Sequence, residues 1–93
     1  MNPEANLEST ILRLKMILIS KLHVSKTTVE QSDPDQPLVG RGIGLDSMET
    51  LTLIAGIEEE FGISVPDEDL RISLFTDLRT LGTYIMSKLA ATE

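Results

Sequence analysis

Leu7, Ile11, Leu14, Leu18 and Leu22 follow one another at intervals of four, three, four and four residues. A helix gathers such positions on one face, whereas a strand, with its repeat of two, scatters them over both. The spacing predicts a helix over about 4–22. Leu12, Met16 and Ile19 form a second apolar stripe on it, expected to add contact with the core, with a self-association surface as the alternative. Helical spacing returns in Leu53, Ile54, Ile57 and Phe61, which share an arc of about 100°, and again in Leu78, Leu81, Ile85 and Leu89. No strand alternation, internal repeat or low-complexity stretch breaks the pattern. The expected fold class is all-α. A four-helix bundle fills one domain of 93 residues, ordered over about 5–90, with three longer helices and one short third helix.

The segments between the helices carry their own signals. "HVSKTTVEQSDPDQPLVGRGIG" (23–44) holds prolines 34 and 37 and glycines 40, 42 and 44, and reads as a long loop between helices one and two. Structureless connections beyond about 15 residues are uncommon in compact domains. The loop is therefore expected to be pinned by Val24, Val29, Leu38, Val39 and Ile43. A helix then runs from Ser47 to Phe61, with Gly62 as its left-handed stop. In "ISVPDEDLR", Pro66 at a first helical position and acids in the first turn suit a short third helix to about Arg71. Asp77 caps the last helix.

Several chemistries are excluded by what the chain lacks. With no cysteine it has no disulfide, no thiolate nucleophile and no zinc–sulfur site. The only histidine, His23, has no evident acid partner and is expected to cap carbonyls at the end of the first helix. "GIGLDS" is not a nucleophile elbow, and "GRGIG" lacks the lysine of a phosphate loop. "DPDQPLVG" opens like a calcium loop but has prolines at key positions and no closing glutamate. No catalytic or metal-binding role is expected.

Charge is unevenly placed. Residues 1–45 balance five bases against five acids, while residues 46–93 hold ten acids and three bases, the whole net charge of −7. Such a surface disfavours nucleic acid and anionic membrane and favours partners with basic patches. "ILRLKMILISKL" is interrupted by Arg13 and Lys15 and falls short of the roughly 20 residues that span a bilayer. The start, "MNPEANLEST", lacks the charged and apolar regions of a secretory leader. A soluble, cytoplasmic monomer is the expectation.

The acidic half begins at "GIGLDSMETLTL" (42–53). Asp46 and Glu49 have the spacing of a capping box, in which each side chain accepts from the other's backbone N–H. Ser47 then becomes the first helical residue, has no capping duty and points to solvent beside the positive end of the helix dipole. A phosphate ester there would be stabilised by about 1 kcal/mol at most. Gly42 and Gly44 would let a modifying enzyme approach the backbone closely. The geometry suits a phosphorylated attachment point.

The ordered pattern "GIGLDSMETLTLIAGIEEEFGISVPDEDL" resembles the central signature of acyl carrier proteins. The resemblance is tight over 38–72, looser through "LFTDLRTLGTYI", and extends to 5–22 by helix placement. It implies that Ser47 carries 4′-phosphopantetheine, moved from coenzyme A by a phosphopantetheinyl transferase with magnesium near Asp46. The arm's thiol holds acyl groups as thioesters, so the cofactor brings the sulfur that the chain lacks. Leu53, Ile54, Ile57, Phe61, Ile63 and Ile72 are the implied lining for an acyl chain.

Partner docking is implied for the helix that starts at Ser47. Glu49, Glu58, Glu59 and Glu60 would meet basic patches on acyl-loading enzymes, ketosynthases or acyltransferases, with Met48 and Leu51 as the apolar part. Thr52 and Ala55 also lie on this surface and depart from the family pattern, as does Gly56, which should cost the helix about 1 kcal/mol relative to alanine. The resemblance implies service in fatty acid, specialised lipid or polyketide synthesis, and these departures point to a specialised carrier for a dedicated lipid, polyketide or similar pathway. A peptidyl or D-alanyl carrier and an unmodified helical interaction module remain alternatives.

Overall fold

A computed structural model describes residues 6–33, 35, 38 and 44–91. Four α-helices lie among them: α1 (Leu7–Ser20), α2 (Lys26–Gln31), α3 (Ser47–Phe61) and α4 (Leu78–Ala91). Two 3-10 turns, Asp67–Asp69 and Ile72–Phe75, join α3 to α4, and the described residues form no strand. The all-α class is confirmed. Its three long helices fall where their apolar stripes place them.

α1 begins at Asn6, whose side-chain oxygen accepts from the Ser9 N–H at 2.7 Å, so the helix starts later than its apolar period suggests. Leu14 and Leu18 are fully buried, and Ile11 and Ile17 nearly so. Leu12 and Met16 are instead exposed, at 62% and 59%, and only Ile19 of that second stripe packs against the core. The helix meets α4, α3 and α2 on its other faces, which leaves Leu12 and Met16 uncovered among the described residues. At its far end His23 takes a positive φ of 57° while the Val24 N–H donates to the Leu18 carbonyl at 3.0 Å. His23 thus serves the helix end through its backbone. Its ring is exposed and caps no carbonyl among the described residues.

The long connection contains a helix that its sequence does not advertise. α2 buries Val29 alone, so its six residues show no period to read. Lys15 holds its end by donating to the Ser32 carbonyl at 3.4 Å. Further on, the buried Leu38 accepts from the Leu45 N–H at 2.8 Å and donates to the Thr76 carbonyl at 3.3 Å. The connection is therefore tied both to the entrance of α3 and to the approach to α4. Val29 and Leu38 act as the expected pins and Val24 is partly buried. Val39 and Ile43 lie outside the described residues.

The short third helix is realised as 3-10 turns. Pro66 has an extended ψ of 153° and precedes the first turn instead of opening a helix. That turn buries none of its three residues, so no packing favours its extension into α-helix. α4 is capped as its sequence indicates, with the Thr80 N–H donating to Asp77 Oδ1 at 2.7 Å.

Two glycines mark close helix contacts. A Cβ on Gly56 would lie 2.9 Å from Ile17 Cγ2, and one on Gly82 would lie 2.9 Å from Leu7 Cδ1. The obstacles differ in stiffness. Ile17 Cγ2 sits on the β-carbon of a buried, β-branched residue, whereas Leu7 Cδ1 is the end of a half-buried flexible chain. Gly56→Ala is expected to destabilise the fold, because overpacking of about 1–3 kcal/mol exceeds the helix-propensity gain. Gly82→Ala should be neutral or stabilising by up to about 1 kcal/mol. Urea unfolding of the two variants tests the contrast.

Candidate functional site

The first turn of α3 carries the candidate site expected from the sequence. The Glu49 N–H donates to Asp46 Oδ1 at 2.8 Å, and the Asp46 N–H donates to Glu49 Oε1 at 3.1 Å. This is the full reciprocal capping box. Ser47 follows as the first residue of the helix, exposed, and its hydroxyl makes no hydrogen bond among the described residues. Gly44, at φ 75°, turns the chain into the segment that places Leu45 in the core. Gly42 lies outside the described residues.

A cleft of about 440 Å³ opens beside Ser47. Asp46, Ser47, Thr50, Leu51 and Ile54 line it from α3 and its cap, and Leu70, Arg71 and Phe75 from the 3-10 segment. Of the six residues expected to line an acyl path, Ile54 reaches this cleft. Leu53, Ile57, Phe61 and Ile63 are buried in the core behind it, and the side chain of Ile72 lies outside the described residues. Thr50, Leu70, Arg71 and Phe75 are the wall residues that sequence reasoning missed. The two sides of the cleft come from separate stretches of the chain, α3 and the 3-10 segment, so helical period alone could not bring them together.

The far wall is latched to α4. Tyr84 donates its hydroxyl to Asp69 Oδ2 at 2.6 Å, and Lys88 Nζ lies 3.5 Å from the same oxygen and 5.6 Å from the Tyr84 ring. The Tyr84 hydrogen bond, then the Lys88 charge, hold the Asp69 carboxyl below its ordinary value. Burial, then the bond to Asp69, push the Tyr84 phenol above its own.

The outer face of α3 exposes two large apolar side chains. Met48 and Leu51 are 71% and 58% exposed, and Thr52 and Ala55 are exposed beside them, while Gly56 is buried against α1. The glutamates have internal partners. Glu58 accepts from the Val65 N–H at 2.8 Å, and Glu59 lies 3.9 Å from Lys21. Glu60 accepts from Arg13 Nε at 3.0 Å, and the same guanidinium donates to the Glu60 carbonyl and covers the Phe61 ring at 4.2 Å. Gly62, at φ 67°, ends the helix.

Comparison with known proteins supplies the family. A family model described as "Phosphopantetheine attachment site" matches residues 13–85. This defines the class as a carrier that bears a 4′-phosphopantetheine arm. Proteins named "Acyl carrier protein" from the Nichols strain and a second strain of Treponema pallidum are each 32% identical over 82 residues, covering 88% of this chain and 97% of theirs. The chain belongs to the acyl carrier protein family, whose members are carriers and not enzymes. Among the described residues no helix is long and apolar enough to cross a membrane, and no three or more His, Cys, Asp or Glu side chains cluster so as to hold a metal ion.

Two variants probe the site's framework. Asp46→Ala should cost about 1 kcal/mol in urea unfolding, and Asp46→Asn much less, because the amide oxygen still accepts from the Glu49 N–H. Tyr84→Phe should move the Asp69 titration up toward 3.8, as followed by carboxyl NMR. A depressed native pKa stabilises the fold above the unfolded value, and this contribution is lost as the pH falls through the native one. The acid-induced loss of stability in that window should therefore shrink in Tyr84→Phe.

Proposed function

We propose that Ser47 is the residue that takes the phosphopantetheine arm, and that the chain presents acyl thioesters on it to enzymes of a specialised lipid or polyketide pathway. The observation that carries this reading is the unengaged, exposed Ser47 hydroxyl directly beside a mostly apolar cleft. Asp46 performs the capping that a serine often performs at a helix start, so packing alone does not call for a serine at 47. In the transfer, the Ser47 oxygen loses its proton and bonds the phosphorus next to pantetheine. The pyrophosphate link of coenzyme A breaks and the adenosine bisphosphate leaves. When attached, the arm supplies the thiol on which an acyl group is held as a thioester.

Docking on partner enzymes is proposed for the outer face of α3, with Met48 and Leu51 at its centre and Thr52 and Ala55 beside them. The small, uncharged side chains of Thr52 and Ala55 favour a partner chosen by apolar fit over one chosen by charge at those two positions. Glu49, Glu58, Glu59 and Glu60 add negative potential around this patch and attract basic surfaces. Asp46 also stands beside the serine, where its carboxylate can face a magnesium ion held by the transferase during modification.

The test is intact mass after incubation with coenzyme A, magnesium and a broad-range phosphopantetheinyl transferase. Wild type should gain one phosphopantetheinyl group, and Ser47→Ala should gain none. A folded wild-type protein that stays unmodified would favour the unmodified interaction module. Modification of Ser47→Ala would move the attachment to another residue.

A further inference from the structure

The cleft beside Ser47 has one feature that attachment does not require. Arg71 reaches it from the opposite wall, at the junction of the two 3-10 turns. Among the described residues it is the one cation lining that cleft, and it follows a run of acids, Asp67, Glu68 and Asp69. Its Nε donates to the Glu68 carbonyl at 3.3 Å, which steadies the side chain, while its terminal nitrogens make no hydrogen bond among the described residues. The nearby acids do not use it up. Asp69 takes its hydrogen bond from Tyr84 and its ion pair from Lys88, and feels Arg71 only as a weaker charge. Asp46, on the Ser47 side, is occupied by the Glu49 N–H.

We propose that Arg71 is a positioning residue that binds the phosphodiester of the arm across the cleft from Ser47. The inference rests on Ser47 being the attachment point. The phosphodiester is the part of the arm bonded directly to the serine oxygen, so its place is fixed to this edge of the cleft. Its two free oxygens match the two terminal nitrogens of a guanidinium, and such paired, charged hydrogen bonds are both stronger and more directional than neutral ones. The apolar walls formed by Leu51, Ile54, Leu70 and Phe75 reduce the screening of that pair by water. Held at this point, the arm leaves the serine along the cleft and not straight into solvent.

The test uses the arm-bearing protein, with its mass confirmed, and compares wild type with Arg71→Lys and Arg71→Gln. Its readouts are the phosphorus NMR shift of the phosphodiester and the Nε–H resonance of Arg71. In wild type the Nε–H resonance should move on attachment of the arm, and both signals should relax as salt is raised, since the pair is open at one side. In Arg71→Gln the phosphorus shift should move to that of a solvent-exposed serine phosphodiester, and Arg71→Lys should fall between. The thermal midpoint should not change, because Arg71 is exposed. An arm-bearing wild type and Arg71→Gln with the same phosphorus shift would overturn the proposal while leaving attachment intact. Failure to gain the arm at Ser47 would overturn both. An Arg71 response seen only when the arm carries an acyl group with a free carboxylate, and not with a neutral one of equal length, would assign Arg71 to cargo and overturn its role toward the phosphodiester.

Discussion

Reciprocal hydrogen bonds between Asp46 and Glu49 fix where α3 begins, and the site depends on that register. With the cap one residue earlier, Ser47 is left at the first helical position with its hydroxyl unengaged among the described residues. A shift of one residue would turn the helix by about 100°. The buried face of Leu53, Ile54, Ile57 and Phe61 would then rotate out of the core, and Met48 and Leu51 would leave the outer surface. The cap therefore sets the presented serine, the core face and the exposed patch together.

What holds the cap in place comes from far along the chain. Leu45, immediately before it, is buried and donates to Leu38, and Leu38 in turn donates to Thr76. One backbone relay thus runs from the long connection, through the start of α3, to the turn that precedes α4. The other end of α3 is fastened differently, by Arg13 bridging to Glu60 and lying over Phe61, and by Glu58 taking the Val65 N–H. The site's two walls are consequently held to the same core from different directions. α3 is anchored at both ends, and the 3-10 segment is tied to α4 through Asp69 and Tyr84.

The limits of α3 were legible because their signals are local. Asp46 and Glu49 are three residues apart, and Gly62 takes a conformation that favours glycine. The alternation of buried and exposed residues within α3 was legible for the same reason. α2 was not, since six residues with a single buried valine carry no period. Nor was the reason for Gly56. Its sequence shows only a weak helix former, and the benefit appears when Ile17 is found where a β-carbon would sit. The cleft wall was hidden in a further way. Leu53 and Ile57 satisfy the period so well that they lie fully inside the core, while Leu51, nearer the edge of the wheel, reaches the cleft.

The same distinction between local and distant contacts bears on how the acidic surface can act. Glu58, accepting from Val65, and Glu60, accepting from Arg13, have hydrogen-bonding capacity spent within the fold, and Arg13 also offsets the charge of Glu60. The net excess of acids in the second half of the chain still provides a negative field that can steer a basic partner toward α3. Close contact is another matter, because a partner arginine would have to compete with those internal donors. Met48 and Leu51 face no such competition, and burying them removes apolar surface from water. On the proposed docking face, charge would then govern how fast a partner arrives, and the apolar patch how long it stays.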